Sequence, residues 1–152
     1  GAQNPGTAQK TPQERLAELE AEAGKSPGNT EVLMELAEAY YYTGKPDQAV
    51  KTYEQVLAAD PGYSEARYMI AYVYYMKGEF DQAETSLKEL AQKDPNFKET
   101  HLLYGYVLGA GKKDYAGGIQ ELEKYIDLAK EGPDVEKARL IINEWKTAQA
   151  GN

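Results

Sequence analysis

The stretch TGKPDQAVKTYEQVLAADPGYSEA (43–66) lies over KGEFDQAETSLKELAQKDPNFKET (77–100) with every matched residue 34 positions apart. Gly44 falls on Gly78, Asp47-Gln48-Ala49 on Asp81-Gln82-Ala83, and Asp60-Pro61 on Asp94-Pro95. A fixed period of this length means one supersecondary unit used several times, each burying its apolar face only against its neighbours. At 152 residues the chain holds about three such units and the caps their ends require.

Each unit carries two helical patterns. Leu33, Leu36, Ala37 and Tyr40 recur at three- and four-residue steps, matched by Ile70, Ala71 and Tyr74 and then by Tyr104, Gly105 and Leu108. These are read as core stripes. The partner helices are expected to begin at Asp47, Asp81 and Asp114, good acceptors for the free amides of a first turn. They carry Ala49, Tyr53 and Val56, or Ala83, Leu87 and Leu90, inward.

The third unit departs from the period. Aligning DYAGGIQELEKYI with EFDQAETSLKELA needs one extra residue, placed in the turn, after which Gly118 takes the small position and Leu122 and Tyr125 the apolar ones. AKEGPD replaces the closing Asp-Pro, so a longer second helix is expected there. At the front, Thr11, Pro12 and Glu14 read as a capped helix start, with Leu19 falling 34 before Tyr53. At the back, Val135, Ala138, Ile142 and Trp145 form one stripe of a capping helix.

Period, small-residue positions and the Asp-Pro close together resemble the tetratricopeptide repeat. The matches are Leu36-Ala37, Tyr40, Ala49, Tyr53 and Pro61, then Ile70-Ala71, Tyr74, Ala83, Leu87 and Pro95. The resemblance implies an all-α, right-handed superhelical solenoid of antiparallel helix pairs, about three units with a flanking helix at each end. The expected organisation is a disordered leader or linker over 1–12 and a single domain over 13–150. That domain divides into a half-unit 13–25, repeats 30–63, 64–97 and 98–132, and a capping helix 134–149.

Composition narrows the function. A formal charge of −8 lacks the positive field that draws proteins to phosphate backbones or anionic lipid, so no nucleic-acid partner is expected. No apolar run approaches the roughly 20 residues that cross a bilayer, so no membrane insertion is expected. The absence of cysteine removes disulfides, thiolate chemistry and cysteine-ligated metals. His101 is the only histidine and reads as a polar residue packed between helices. ERLAELEAE reads as a solvated acidic face, and GAGKKDYAGG lacks the spacing of a phosphate-cradling loop. Neither catalysis nor a cofactor or metal is expected.

The run Tyr40-Tyr41-Tyr42 then needs a reason, because neighbours on a helix are offset by about 100°. Tyr40 and the equivalent Tyr74 are assigned to the core. Tyr41 and Tyr42 continue a second stripe with Met34 and Glu38, and by the family resemblance this stripe lines a concave groove where peptides lie. Its counterparts are Tyr68, Met69, Tyr72, Tyr75 and Met76, then Leu102, Leu103 and Tyr106, with Glu31, Glu65 and Glu99 as an acidic rim. Tyrosine offers large, stiff contact area and a hydroxyl that tolerates water, and methionine adapts its shape. The family's clamp of basic and amide side chains for a terminal carboxylate is absent from this stripe.

The expectation is a non-catalytic scaffold or adaptor that takes an extended or helical peptide segment, neutral or basic, in a tyrosine-rich groove. Assembly of homo-oligomers through the same groove is the alternative. The leader and the third-repeat region are also similar to exported repeat domains of bacterial membrane-anchored proteins, including those of c-type cytochrome biogenesis. That similarity implies a periplasmic or periplasm-facing assembly or chaperone-type factor, with a cytoplasmic one as the alternative.

Overall fold

A computed structural model describes residues 8–151; residues 1–7, most of the expected leader, lie outside the described residues. The chain divides into two compact units, one ending at Pro61 and the other beginning at Gly62. Among the described residues all regular structure is helical.

In the first unit, α1 (Pro12–Lys25), α2 (Thr30–Tyr42) and α3 (Pro46–Ala59) follow one another through short turns. Thr11 Oγ1 accepts the Glu14 amide at 3.1 Å, Pro12 takes the first helical position where no amide is needed, and Lys10 pairs with Glu18. Leu16 and Leu19 of α1 are buried with Leu36 of α2, and Tyr40 packs beside them. Asn29 caps α2 through its side-chain oxygen, which accepts the Val32 amide at 3.2 Å. In α3, Ala49 and Val56 are fully enclosed, and Tyr53 is the bulkiest of the fully buried side chains.

The second unit contains α4 (Ser64–Met76), α5 (Phe80–Lys93), α6 (Glu99–Tyr106), a π-helical turn (Val107–Gly111), α7 (Tyr115–Ala129) and α8 (Pro133–Ala150). Ala71, Ala83, Leu87, Leu103 and Val107 form one core cluster; Ile119, Leu122, Tyr125 and the α8 stripe Val135, Ala138, Ile142 and Trp145 form another.

Two expected helix starts move. Asp47 and Asp81 lie in the first turns of α3 and α5, with Lys45 and Glu79 in the cap positions and no side-chain cap bond. The carboxylates there favour the positive helix end. Asp114 does cap α7, accepting the Gly117 amide at 3.0 Å.

The extra residue of the third unit lies before the turn rather than in it. In the earlier pairs the first helix is followed by a left-handed glycine, Gly44 (φ 81°) or Gly78 (φ 77°). The next position on that period is Lys112, yet the left-handed residue is Lys113 (φ 61°). The π turn absorbs the difference: the Lys112 amide donates to the Val107 carbonyl at 2.9 Å, five residues back, adding one residue to the helix.

The turn also meets α8 closely. A Cβ at Gly109 would lie 2.3 Å from the Trp145 ring, and one at Gly118 would lie 2.7 Å from it and 3.0 Å from the Gly105 carbonyl. Gly109→Ala should therefore destabilise the chain by about 1–3 kcal/mol through overpacking. Gly24→Ala, on an open face of α1, should stabilise it by up to about 1 kcal/mol. Urea unfolding of both variants checks the pair, and a neutral Gly109→Ala would show that the indole moves aside freely.

Candidate functional site

In the second unit, Tyr68, Tyr72, Tyr75 and Met76 of α4 converge with Leu102, Leu103 and Tyr106 of α6 on one cleft of about 320 Å³, which Lys137 of α8 also lines. Helical spacing accounts for the convergence: residues three and four apart share a face, so α4 offers 68, 72, 75 and 76 together and α6 offers 102, 103 and 106.

The tyrosines are half-buried. Tyr68, Tyr72 and Tyr75 all pack against the cluster around Ala71, Leu103 and Val107. Two phenylalanines brace them from outside the predicted stripe: Phe97 lies 5.9 Å from Tyr68 and Phe80 lies 5.8 Å from Tyr75, centroid to centroid. Rings held this way offer contact area without losing much freedom on binding.

The predicted division between core and groove residues is less clean than helix geometry suggests. Tyr74, assigned to the core, is half-buried and packs on the same cluster as Tyr72 and Tyr75. Leu103, assigned to the groove, is 3% exposed and is chiefly a core residue at the cleft floor. Met69 is half-buried and does not line the cleft. Met34, Glu38, Tyr41 and Tyr42 belong to the first unit, where Tyr42 is 73% exposed and its ring meets Tyr41 edge-on at 5.4 Å.

Burial raises the hydroxyl pKa of Tyr68 to about 12, with Tyr72, Glu99 and Asp134 adding to the effect. Tyr106 is raised by burial and then by Asp134. Asp134 and Lys137, both from α8, are site residues that the stripe of the first two repeats does not reveal. Once the inserted residue is counted they fall into register: Glu65, Glu99 and Asp134 are successive equivalents, as are Tyr68, Leu102 and Lys137.

Elsewhere, polar groups serve packing. His101 Nδ1 lies 2.7 Å from Glu121 Oε2, joining α6 to α7, and Lys124 reaches the other carboxylate oxygen at 3.0 Å. The acids of α1 and α2 surround Arg15, with Glu18 at 3.1 Å and Glu35 at 2.7 Å. Among the described residues, no group of three or more His, Asp or Glu could hold a metal ion, and no helix is long and apolar enough to cross a membrane. A second hollow, of about 360 Å³, opens between α7 and α8 among Glu123, Asp127, Arg139 and Lys146, charges of both signs around a few apolar atoms.

The tetratricopeptide repeat family matches residues 43–105. No curated protein matches the chain by sequence. Solved structures do match by fold. MamA from Desulfovibrio magneticus RS-1 has a TM-score of 0.68 at 20% identity, over 93% of this chain and 87% of that one. The first tetratricopeptide-repeat domain of Spaghetti (RPAP3), bound to the HSP90 peptide SRMEEVD, scores 0.72 at 19% identity over 80% and 95%. The Yersinia enterocolitica type III secretion chaperone SycD, in complex with a peptide of the translocator YopD, scores 0.70 at 20% identity over 78% and 93%.

The raised tyrosines make stability fall in alkali. A phenol with an ordinary value of 10.0 in the unfolded chain and about 12 when folded, as for Tyr68 and Tyr104, keeps its proton longer in the native state. Its contribution is complete below pH 10 and is lost as pH rises toward 12. Denaturant unfolding across that interval should show a decline that is shallower in Tyr68→Phe than in the parent chain. Equal slopes would mean that Tyr68 titrates as in solvent.

Proposed function

We propose that the chain, a tetratricopeptide-repeat protein, is a non-catalytic interaction module whose aromatic cleft on residues 62–151 takes an extended or helical segment of a partner protein. The supporting observation is that cleft: half-buried tyrosines on two helices, two of them in contact with a phenylalanine, gathered with Leu102 around one hollow. Two proteins of similar fold hold peptides, which makes the fold a fitting support for such a role. Which segment this chain takes follows from its own side chains.

The apolar atoms of an anchoring side chain from the partner would displace water from the tyrosine faces and the Met76 thioether. Full burial of a Leu- or Phe-sized side chain contributes roughly 1.5–3 kcal/mol. One anchor alone therefore gives weak binding, and the rest comes from contacts along the segment. Phenol rings carry a polar edge that water can solvate, which limits self-adhesion of an empty cleft.

Selection of peptides on the immobilised chain from a displayed library tests this. Selected sequences should share one anchoring side chain, and Tyr72→Ala or Tyr106→Ala should weaken them at least about tenfold, as central aromatic truncations do. Leu140→Ala, on the exposed face of α8, should leave binding unchanged. Because Tyr72 also packs on the core, affinities are compared on chains shown to be folded by circular dichroism. Peptides that bind both tyrosine variants as well as the parent would overturn the assignment. Light scattering over a concentration series should give the 16.9 kDa monomer throughout. A mass that doubles with concentration and reverts in Tyr106→Ala would give the cleft to a second copy of the chain instead.

A further inference from the structure

We infer that the tyrosine cleft is a cation cage, and that the partner segment presents an arginine or lysine side chain to it. The inference rests on the cleft being a peptide site and adds which side chain anchors there. Three features of the second unit point the same way.

Tyr68, Tyr72, Tyr75 and Tyr106 surround one hollow, and a phenol ring face carries the negative lobe of its quadrupole, so several rings around a small volume favour a positive group. The acids then stand on three different helices at one position of the repeat: Glu65 on α4, Glu99 on α6 and Asp134 on α8, each three residues before the 68, 102 or 137 residue that lines the cleft. Residues so spaced lie on one helix face, and Glu99 and Asp134 both act electrostatically on Tyr68 of the cleft. Neither Glu99 nor Asp134 is held in an ion pair among the described residues. Finally, Lys137 lines the cleft itself. Its aliphatic stem and ammonium are the chemistry that such a cage accepts, and among the described residues it makes no ion pair.

Lys137 is also the charged residue among those that line the cleft. Against Glu65, Glu99 and Asp134 it leaves the mouth net negative, in a chain whose formal charge is −8. A guanidinium or ammonium from a partner would enter the hollow among the rings, and the flexible, exposed Lys137 side chain at its edge would move further into solvent.

Four blocked amino-acid probes distinguish the outcomes: the N-acetyl amides of arginine, of citrulline as its neutral isostere, of leucine and of glutamate. Each is titrated into the full chain while the tyrosine ring signals are followed by NMR. The arginine probe should move the rings of Tyr68, Tyr72, Tyr75 and Tyr106 and bind about two- to fivefold tighter than citrulline, the range of partly open cation–π contacts. Asp134→Asn and Glu99→Gln should narrow that ratio, added salt should narrow it further, and Lys137→Gln should widen it. If leucine moves the rings but arginine binds no better than citrulline, the cage is wrong and the apolar peptide site stands. If no probe moves the rings, the cleft reading falls and the cage with it. If glutamate binds tightest and Lys137→Gln abolishes it, Lys137 reads an anion and the inference is overturned.

Discussion

Everything in this chain depends on the close approach of paired helices at a position that admits no large side chain. Ala37, Ala49, Ala71 and Ala83 have no exposed surface at all. Each lies on a helix packed against its partner, α2 on α3 or α4 on α5, and a side chain no larger than a methyl group lets paired backbones come near. In the third pair the equivalents are Gly105 and Gly118, and a Cβ built on Gly118 would already reach the Gly105 carbonyl. Helices packed so tightly hold their remaining faces at fixed angles. That lets side chains of α4 and α6 meet reproducibly around one hollow.

The same requirement explains why the first two repeats are legible in the sequence and the third is not. Small residues at fixed spacing, a left-handed glycine and an Asp-Pro close recur on one period, so two aligned segments reveal the helix pairs directly. An inserted residue is visible as a register slip, but its location is not, because a loop and a π turn lengthen the chain equally. The structure places it at Val107–Gly111, where glycines at 109 and 111 lie against Trp145 and Phe80. The contact of Trp145 with that turn is tertiary and leaves no local signature in the sequence.

The cleft is legible in part for a related reason. A stripe of tyrosines offset from the core stripe shows in the spacing alone, and seven of its members do meet around the hollow. The stripe cannot show how the rings divide between core and cleft. A first helix in the second unit is contacted by its partner and by the next pair, so most of its circumference is covered. Leu103 and Val107 are therefore buried with Ala71 and Leu87, and Tyr72, Tyr74 and Tyr75 all rest on that one cluster. Asp134 and Lys137 are hidden by the slip itself, because they fall into register with Glu99 and Leu102 only after the inserted residue is counted.

Size sets what such a site can do. At about 320 Å³ the cleft lies near the small end of the range for ligand pockets, enough to seat one anchoring side chain. A stable protein complex covers on the order of 800 Å² on each partner, far more than one anchor supplies. Under the proposed function the cleft would therefore act as a point of register, fixing where along a partner's chain the contact begins, while the flanking segment would supply the remaining area. Rings already held by Phe80, Phe97 and the core lose little freedom when the anchor arrives, so discrimination between anchors rests on shape and charge at the mouth. Those are the properties that Glu99, Asp134 and Lys137 would control.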